Sequence, residues 1–313
     1  MSATITDTSV KSPVAVTIAA QESTTPTLAK FNAEDPATTA AAIVESIRRD
    51  GGAIVKNLIN HDLAMQIKQE LKPYFDNDRI DPTGFFPETT KRASGLVSIS
   101  PGCVDYLTKP LVIDVVNELL SSTYSFWVGK KLRTVTSKPQ ISSTTAFRVN
   151  PGGRAQELHR DDADLHPRNV DHPAMLGCIA AISKITQENG ATQVIPGSHV
   201  WGPDRAPEVY EAIPAELEIG DALFFLGNTY HGGGANITKD EVRENVGLFF
   251  TKGFYRQSEN QYLMVPPEKA GPLSNQVKRL LGYGISPPGN GFYQYQDPMR
   301  VLFGVEDEET VDL

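Results

Sequence analysis

The chain has 313 residues, of which 40% are hydrophobic and 21% are charged, so wholesale disorder is excluded and a sizeable core can form. Its 29 Lys and Arg residues against 38 Asp and Glu residues give a net charge of −9, which disfavours binding to nucleic acid phosphates. The apolar runs are too short to cross a bilayer, and no membrane association is expected. Cys103 and Cys178 form no CxxC motif and predict neither a disulfide framework nor a zinc knuckle.

The two ends of the chain indicate where the protein resides. Residues 1–27 are rich in Ser, Thr and Ala and predict a mobile arm ahead of a single domain over residues 28–313. The arm lacks the basic and apolar regions of a secretory signal, and its lack of Arg before Arg48 is not typical of a mitochondrial presequence. The C-terminal Val-Asp-Leu is not a peroxisomal signal. We therefore expect a cytoplasmic protein.

The first 123 residues carry mainly helical patterns. Ile43, Val44 and Ile47 recur at helical spacing, and Gly51 and Gly52 should end that helix. The predicted elements of this part are helices over residues 36–50, His61–Phe75 and Lys109–Ser121, a strand over 53–59, and an irregular surface loop over 76–95.

From residue 124 onward, short runs of β-branched and aromatic residues alternate with turn signals. The runs are YSFWVGKKLRTV, SSTTAFRVNPGG, MLGCIAAISKI, ATQVIPGSH, DALFFLGNTYHGGG and ENVGLFFTKGFY. Several strands at such spacing predict an antiparallel barrel or sandwich over about 124–256. One more helix, SNQVKRLLG, and an aromatic segment follow within 266–305. The pattern therefore predicts a mainly β domain with flanking helices.

A candidate metal site lies in the segment ELHRDD. His159 and Asp161 would point to the same face of an extended strand, and His231 ends another apolar run. Two His and one carboxylate form the facial triad of non-haem Fe(II) oxygenases, which leaves coordination positions open. The three glycines after His231 predict a sharp turn. The alternative is that His159 and Asp161 share a solvated surface loop.

Arg243 provides a second signal. It lies twelve residues after His231, at the start of the predicted strand RENVGLFF. An Arg at this place can form a bidentate pair with a carboxylate held inside a barrel. The alternative is an Arg at a strand edge that faces water.

These motifs resemble a known family. ELHRDD, ENGATQVIPGSHVW and HGGG followed by Arg243 are similar to the phytanoyl-CoA dioxygenase family of Fe(II)/2-oxoglutarate oxygenases, over about Asp50–Gly282. The similarity is strongest to its fungal natural-product branch, which acts on meroterpenoids and alkaloids. It implies a double-stranded β-helix core of the jelly-roll, cupin-like kind, and an enzyme that uses Fe(II), 2-oxoglutarate and O2.

The resemblance also implies roles for individual residues. His159, Asp161 and His231 would bind iron, and Arg243 with Thr192 would hold the distal carboxylate of 2-oxoglutarate. Gln156 would contact the carboxylate that chelates iron. The alternatives are that Gln156 is a turn amide and that Thr192 is a β-branched strand residue.

The sequence indicates the substrate only in outline. The resemblance implies a bulky apolar terpenoid, meroterpenoid or alkaloid that is hydroxylated, desaturated or rearranged in a biosynthetic pathway. It also places Leu96 and Val97 against substrate, and Phe249 shares strand parity with Arg243, although a core position is the alternative for Phe249. The other readings are a phytanoyl-CoA-type acyl hydroxylase, which a charge of −9 does not favour, a zinc hydrolase, and a non-catalytic barrel that binds a small molecule.

Assembly is a further expectation from the resemblance. Members of the fungal branch are commonly homodimers in which a C-terminal segment approaches the partner's active site. The corresponding segment here carries five aromatic residues: Tyr283, Phe292, Tyr293, Tyr295 and Phe303. Aromatic enrichment is typical of interfaces, and the alternative is that these rings pack on their own barrel.

Overall fold

The computed structural model describes residues 27–78, 87–164 and 172–305. The predicted N-terminal arm, except its last residue, lies outside the described residues. The strands are β1 Ala29–Asn32, β2 Gly52–Lys56, β3 Thr90–Ser94, β4 Ser122–Val128, β5 Lys131–Ser137, β6 Pro139–Val149, β7 Met175–Ala181, β8 Thr192–Val194, β9 Ile213–Ala215, β10 Ala222–Leu226, β11 His231–Gly233 and β12 Arg243–Lys252. The helices are α1 Ala40–Asp50, α2 His61–Asn77, α3 Pro101–Leu107, α4 Pro110–Leu120, α5 Gln261–Met264, α6 Pro267–Ala270, α7 Asn275–Leu280 and α8 Pro298–Phe303.

A seven-stranded sheet in the order β1-β2-β10-β7-β12-β6-β3 forms the centre of the fold. Its pairs are antiparallel except for the parallel pair β1–β2. A smaller antiparallel sheet, β11-β8-β9, contributes the second wall of the site. The predicted class, β-structure with flanking helices, is thereby confirmed.

The large sheet separates two apolar cores, because successive strand residues point to opposite faces. Val55 and Phe224 belong to the core that the sheet forms with the N-terminal helices. Ile54 and Phe225, each next to one of them in the chain, belong to a second core that includes Val194 of the small sheet. The site lies on this second side, and both faces of the central strands are buried, which explains their continuous apolar runs.

The predicted helices are confirmed with small changes at their ends. Helix α1 begins after Thr39, whose side chain accepts a hydrogen bond from the amide of Ala42, and ends at Gly51, which has a φ of 81°. Asn60 caps α2 in the same way. Helix α3 was not predicted, and in the structure it begins at Pro101 behind the capping residue Ser100.

Two regions differ from the sequence prediction. The loop predicted over 76–95 contains β3, which is a strand because it pairs with β6 and completes the edge of the large sheet. Strands β4 and β5 form a separate two-stranded hairpin, although they fall within the predicted β core of 124–256. Conversely, β1, β2 and β3 belong to the large sheet and precede that range. None of the described helices has the length and apolar character needed to span a membrane.

Candidate metal centre

The three predicted ligands come from two segments that the backbone holds together. The amide of His159 donates to the carbonyl of His231 at 2.8 Å, and the amide of His231 donates back at 3.0 Å. The amide of Asp161 donates to the carbonyl of Gly227 at 2.8 Å. These hydrogen bonds hold the segment ELHRDD against the chain around β11. They bring His159 and Asp161 next to His231, although His159 and His231 are 72 positions apart in the sequence.

The side chains converge as a metal site requires. Asp161 Oδ1 lies 3.5 Å from Nε2 of His159, and Oδ2 lies 3.5 Å from Nε2 of His231. One ligand atom from each residue lies within 4.8 Å of the others. A divalent ion with ligand bonds of about 2.0–2.2 Å fits among atoms at this spacing.

Both imidazole rings are oriented by backbone carbonyls. Nδ1 of His159 is 2.8 Å from the carbonyl of Glu157, and Nδ1 of His231 is 3.0 Å from the carbonyl of Thr229. A proton on Nδ1 leaves the Nε2 lone pair free for a metal ion, and such outer hydrogen bonds are typical of His ligands. The rings also differ in exposure, because the His159 side chain is 40% exposed and that of His231 is 7% exposed.

The local electrostatics favour a cation at this place. The hydrogen bond with Asp161 raises the pKa of His159, despite the opposing effect of burial. Burial acts to raise the pKa of Asp161, but the neighbouring histidines outweigh it and keep the pKa low. Burial lowers the pKa of His231, so that its ring is neutral at pH 7. The site therefore offers one carboxylate and a neutral imidazole, and Asp161 makes His159 the more basic of the two histidines.

A cavity of about 810 Å³ opens at the triad, a size that accommodates a drug-sized molecule. Phe225 closes one side of His231, with ring centroids 4.3 Å apart. Much of the remaining lining is apolar. Its apolar residues are Pro87, Phe147, Val149, Ala155, Leu158, Ile179 and Phe249.

Arg243 lies in the cavity wall as a buried cation. It is 5% exposed, and Nη1 donates to the carbonyl of Gly190. Its Nε is enclosed without a hydrogen-bond acceptor, and no described carboxylate forms an ion pair with it. Burial lowers the pKa of Arg243 to about 10. A buried guanidinium without an anion is costly, and a bound carboxylate would satisfy it.

Thr192 and Gln156 line the same end of the cavity. Thr192 pairs with Gly233 in the β8–β11 ladder. The side-chain oxygen Oε1 of Gln156 accepts a hydrogen bond from the backbone amide of Gly233 at 2.8 Å. The backbone amide of Gln156 donates to the backbone carbonyl of Gly233, also at 2.8 Å. The structure therefore brings both residues next to the strand that carries His231.

The sharp turn predicted for the three glycines after His231 is wrong. Gly232 and Gly233 lie in β11, and none of the three has a positive φ. They are needed for close approach instead: a Cβ on Gly233 would lie 2.9 Å from Gln156 Oε1, and one on Gly234 would lie 2.6 Å from the carbonyl of Ala191.

Leu96 and Val97 do not line the cavity, so the sequence prediction for them is wrong. Gly95 has a φ of 62° and turns the chain after β3, so both side chains enter the core on the helical side of the large sheet. Phe249 does line the cavity and also packs against the second core. Its ring stands edge-on to Phe225 at 6.3 Å.

The remaining histidines lie outside the triad. His199 is buried and bonds through Nε2 to the carbonyl of Arg48 at 3.0 Å, where α1 ends. His172 is exposed, and His166 lies outside the described residues. The sequence reasoning did not identify Asn245, which lines the cavity between Arg243 and Phe249. Its strand parity with Arg243 was the available signal.

Comparison with known proteins gives consistent results. The family model described as "Phytanoyl-CoA dioxygenase (PhyH)" matches residues 47–245. Dioxygenase himG of Aspergillus japonicus is 31% identical over 292 residues, which cover 87% of this chain and 90% of that protein. Dioxygenase swnH1 of Metarhizium robertsii is 34% identical over 277 residues, covering 85% and 90%. Among solved structures, this chain is similar to the non-haem α-ketoglutarate-dependent epimerase SnoN from nogalamycin biosynthesis, with a TM-score of 0.55 and 16% sequence identity. The alignment covers 75% of this chain and 93% of SnoN, and it supports the fold.

Proposed function

This chain belongs to the phytanoyl-CoA dioxygenase family, and from that premise we propose that it oxidises a bulky, largely apolar secondary metabolite of the terpenoid, meroterpenoid or alkaloid class. The comparisons confirm the family expected from the motifs. They also confirm the expected enzyme class, a 2-oxoglutarate-dependent non-haem iron dioxygenase. The residue roles, the substrate class, the subunit assembly and the cytoplasmic location are proposals.

The donor set at the triad fits Fe(II). His159, Asp161 and His231 offer two imidazole nitrogens and one carboxylate, the ligand set of the facial triad. Hydrogen bonds from both Nδ1 positions to carbonyls orient the rings before an ion arrives. Because three protein ligands converge within the described part of the chain, further coordination positions would remain for co-substrate and oxygen.

The polar end of the cavity fits 2-oxoglutarate. Arg243 is the observation that carries this assignment, because it is a buried cation with an unsatisfied Nε beside the triad. A guanidinium in this position would bind the distal carboxylate, and Thr192 of the small sheet lines the same cavity. Gln156 would lie close to the carboxylate at the metal, with its carboxamide held by Gly233.

The bound iron and 2-oxoglutarate would supply the activation of O2 and the oxidising power. The residues of this chain orient both groups and limit access of water. Phe225 packs against His231 and Phe249, and Phe249 lines the cavity, so these two rings fix the position of His231 and form part of the apolar wall that a substrate would meet.

The size and lining of the cavity favour a bulky substrate. Its volume of about 810 Å³ exceeds what 2-oxoglutarate needs, and apolar residues such as Phe147, Ile179 and Phe249 line the remainder. Among the described lining residues, the exposed cation is Arg154, with Glu157 close to it in the chain. The described part of the lining therefore offers no cationic cluster for the phosphates of a coenzyme A ester. We therefore favour a polycyclic or alkaloid substrate over an acyl-CoA.

The test is succinate release from 2-oxoglutarate, measured with and without Fe(II) and with a panel of terpenoid and alkaloid intermediates. We expect release that requires Fe(II) and rises with a subset of the panel. A non-catalytic barrel would release no succinate under any condition. A zinc hydrolase would be active with zinc and would not consume 2-oxoglutarate.

The overall arrangement supports a double-stranded β-helix. The large sheet and the sheet β11-β8-β9 share one apolar core, and the metal and co-substrate residues lie on this side. This is the geometry expected of a jelly-roll closed by helices on its outer face. The topology therefore supports the core fold that the motifs implied.

Some of the aromatic rings of the C-terminal segment are exposed, and these support the proposal of a homodimer. Tyr283 is 3% exposed and packs edge-on against Phe303, so these two belong to the chain's own core. Phe292, Tyr293 and Tyr295 are exposed, and Tyr295 is 83% exposed. Phe292 and Tyr295 stack at 5.3 Å and form an aromatic surface suited to a second copy of this chain.

Light scattering tests the dimer without removing Tyr283 and Phe303 from the core. We expect the wild-type protein to be dimeric and the double variant Phe292→Ser, Tyr295→Ser to be monomeric. Exposed Tyr210 provides a matched control, since Tyr210→Ser should leave the mass unchanged. A monomeric wild type, or a double variant that stays dimeric, would contradict the proposal.

A further inference from the structure

Arg160 lies between two of the metal-site residues in the chain, and no role described above uses it. It is 7% exposed and does not line the cavity, although His159 and Asp161 on either side of it do. Successive residues of an extended segment point to opposite faces, so the Arg160 side chain lies behind the metal site. A buried charge is costly unless other groups hold it, and the groups around this guanidinium therefore indicate what it does.

A short turn and an aromatic ring hold the guanidinium. Nη2 of Arg160 donates to the carbonyl of Ser198 at 2.7 Å and to the carbonyl of Trp201 at 3.0 Å. Its planar group lies over the ring of Tyr230, with 4.1 Å between Cζ and the ring centroid. The ring quadrupole attracts a cation in this position, and the attraction is stronger where water is excluded. Arg160 thus connects its own segment both to the turn and to Tyr230.

Tyr230 directly precedes His231, the third residue of the metal site. The bridge between His159 and His231 is antiparallel, so Arg160 and Tyr230 form the next pair in the same register. His231 lines the cavity and Tyr230 does not. The two ligand-bearing segments, residues 159–161 and 229–231, therefore meet on both faces. The metal-site residues meet on the inner face, and the stacked pair Arg160 and Tyr230 meets on the outer face.

The turn that receives Arg160 also holds the segment of Tyr230. The Tyr230 amide donates to Oγ of Ser198 at 2.8 Å, and the Tyr230 carbonyl accepts from the amide of Ile195 at 2.9 Å. Ser198 is buried, and the indole of Trp201 lies 6.1 Å from the Tyr230 ring. The turn is the PGSHVW part of ENGATQVIPGSHVW, a motif that has no other role in the site. It contacts both ligand-bearing segments from behind.

We propose that Arg160 and Tyr230 are positioning residues that clamp the two ligand-bearing segments together before a metal ion arrives. A rotation of either segment about its own axis would turn its metal-site side chains away from the ion, and the stacked pair on the outer face opposes that rotation. The inference rests on the proposed function, because it assumes a metal ion at His159, Asp161 and His231. It extends that function to two residues that would not touch the ion, the co-substrate or the substrate.

The experiment is a calorimetric titration of the metal-free full chain with Mn(II) at one fixed pH. Arg160→Met removes the planar cation and Tyr230→Leu removes the ring, and each should raise the Kd roughly 10- to 100-fold, as is typical when groups that orient metal ligands are lost. Tyr230→Phe keeps the ring and should bind Mn(II) as the wild type does. Arg205→Met is the matched control, because Arg205 lies over the indole of Trp201 and pairs with Glu211, and neither contact reaches a ligand-bearing segment. Its Kd should be unchanged.

A double-mutant cycle distinguishes a clamp from two independent effects. If the two residues act as a unit, the double variant Arg160→Met, Tyr230→Leu should bind Mn(II) about as weakly as the weaker single variant. Fold-changes that multiply in the double variant would overturn the inference. Wild-type affinity in a folded Arg160→Met, or an equal loss in Arg205→Met, would overturn it as well.

Thermal unfolding of the metal-free proteins separates positioning from a purely structural role. A purely structural role would lower the unfolding temperature of the clamp variants and leave the Mn(II) affinity of the folded protein unchanged, which would overturn the inference. If Arg160→Met fails to fold, Tyr230→Leu and Tyr230→Phe decide, and equal affinities in these two variants overturn the inference. If the wild-type protein binds no Mn(II), the metal assignment and the proposed function fail together. Wild-type binding with unaltered affinity in the folded clamp variants refutes the clamp alone.

Discussion

Replacing Arg243 by Leu separates co-substrate binding from folding. In the wild-type protein the guanidinium is buried with no anionic partner in the described part of the chain, and burial lowers its pKa to about 10. At pH 7 this residue is charged in both the folded and the unfolded chain, so the full cost of burying the charge is present. That cost is about 3 kcal/mol on the scale that relates pKa to free energy. Part of it is offset by the hydrogen bond to the carbonyl of Gly190.

The variant should therefore lose affinity while its metal-free form keeps or gains stability. A charge-assisted hydrogen bond contributes about 1.5–3 kcal/mol, so the Kd of 2-oxoglutarate should rise roughly 10- to 150-fold. Thermal unfolding with Mn(II) in place of Fe(II) measures both quantities. In the wild-type protein, 2-oxoglutarate at a hundred times its Kd adds about 2.7 kcal/mol to the free energy of unfolding. At the same concentration, a Kd raised roughly 10- to 150-fold should reduce that increment to about 0.3–1.4 kcal/mol in Arg243→Leu.

Two further variants make this result specific. Arg243→Lys retains a charge but not the planar fork, and it should recover only part of the affinity. Arg148→Leu is a matched control, because Arg148 pairs with Glu244 and Asp76 on the other side of the sheet and lies outside the cavity. It should lower stability and leave the Kd of 2-oxoglutarate unchanged. Wild-type affinity in Arg243→Leu, or a marked loss of metal-free stability, would refute the reasoning.

The remaining predictions concern the metal, the β11 strand and the substrate end of the cavity. Replacing Asp161 by Asn should abolish Fe(II)-dependent succinate release and weaken the binding of Mn(II) measured by calorimetry. A folded variant that binds the metal as tightly as the wild type would contradict the assignment of Asp161 as a ligand. The affinity for Mn(II) should fall as the pH drops, because Asp161 raises the pKa of His159 and a proton then competes with the metal for this ligand. An affinity that does not change on acidification would contradict this prediction. Gly233→Ala should raise the Kd of 2-oxoglutarate, since the new Cβ would lie 2.9 Å from Gln156 Oε1, whereas Gly202→Ala, in open space, should not. Phe249→Ala should change which members of a substrate panel stimulate succinate release and leave the Kd of 2-oxoglutarate close to wild type; an unchanged panel would remove Phe249 from the substrate site.

The helical part of the fold could be predicted because its signals are local. The spacing of Ile43, Val44 and Ile47 specifies the buried face of α1, and Gly51 ends the helix through its own positive φ. The irregular loop predicted over residues 76–95 shows the limit of such signals. Thr90–Ser94 has no distinct strand pattern, and it is a strand because β6 presents an open edge that accepts it.

The amino-acid sequence by itself indicated the family, predicted the candidate metal ligands and predicted the inward face of β12. A His-x-Asp pair, a distant His and an Arg are specific when they occur together, and strand parity places Arg243 and Phe249 on one face. The tertiary structure alone decided that Leu96 and Val97 turn into the helical core and that the glycines after His231 permit close packing. It also decided that Oδ1 of Asn245 is buried without a hydrogen-bond partner among the described residues. The physical reason is that parity and motif spacing are properties of neighbouring residues, whereas burial, close approach and hydrogen-bond satisfaction depend on chain segments that meet only in the folded protein.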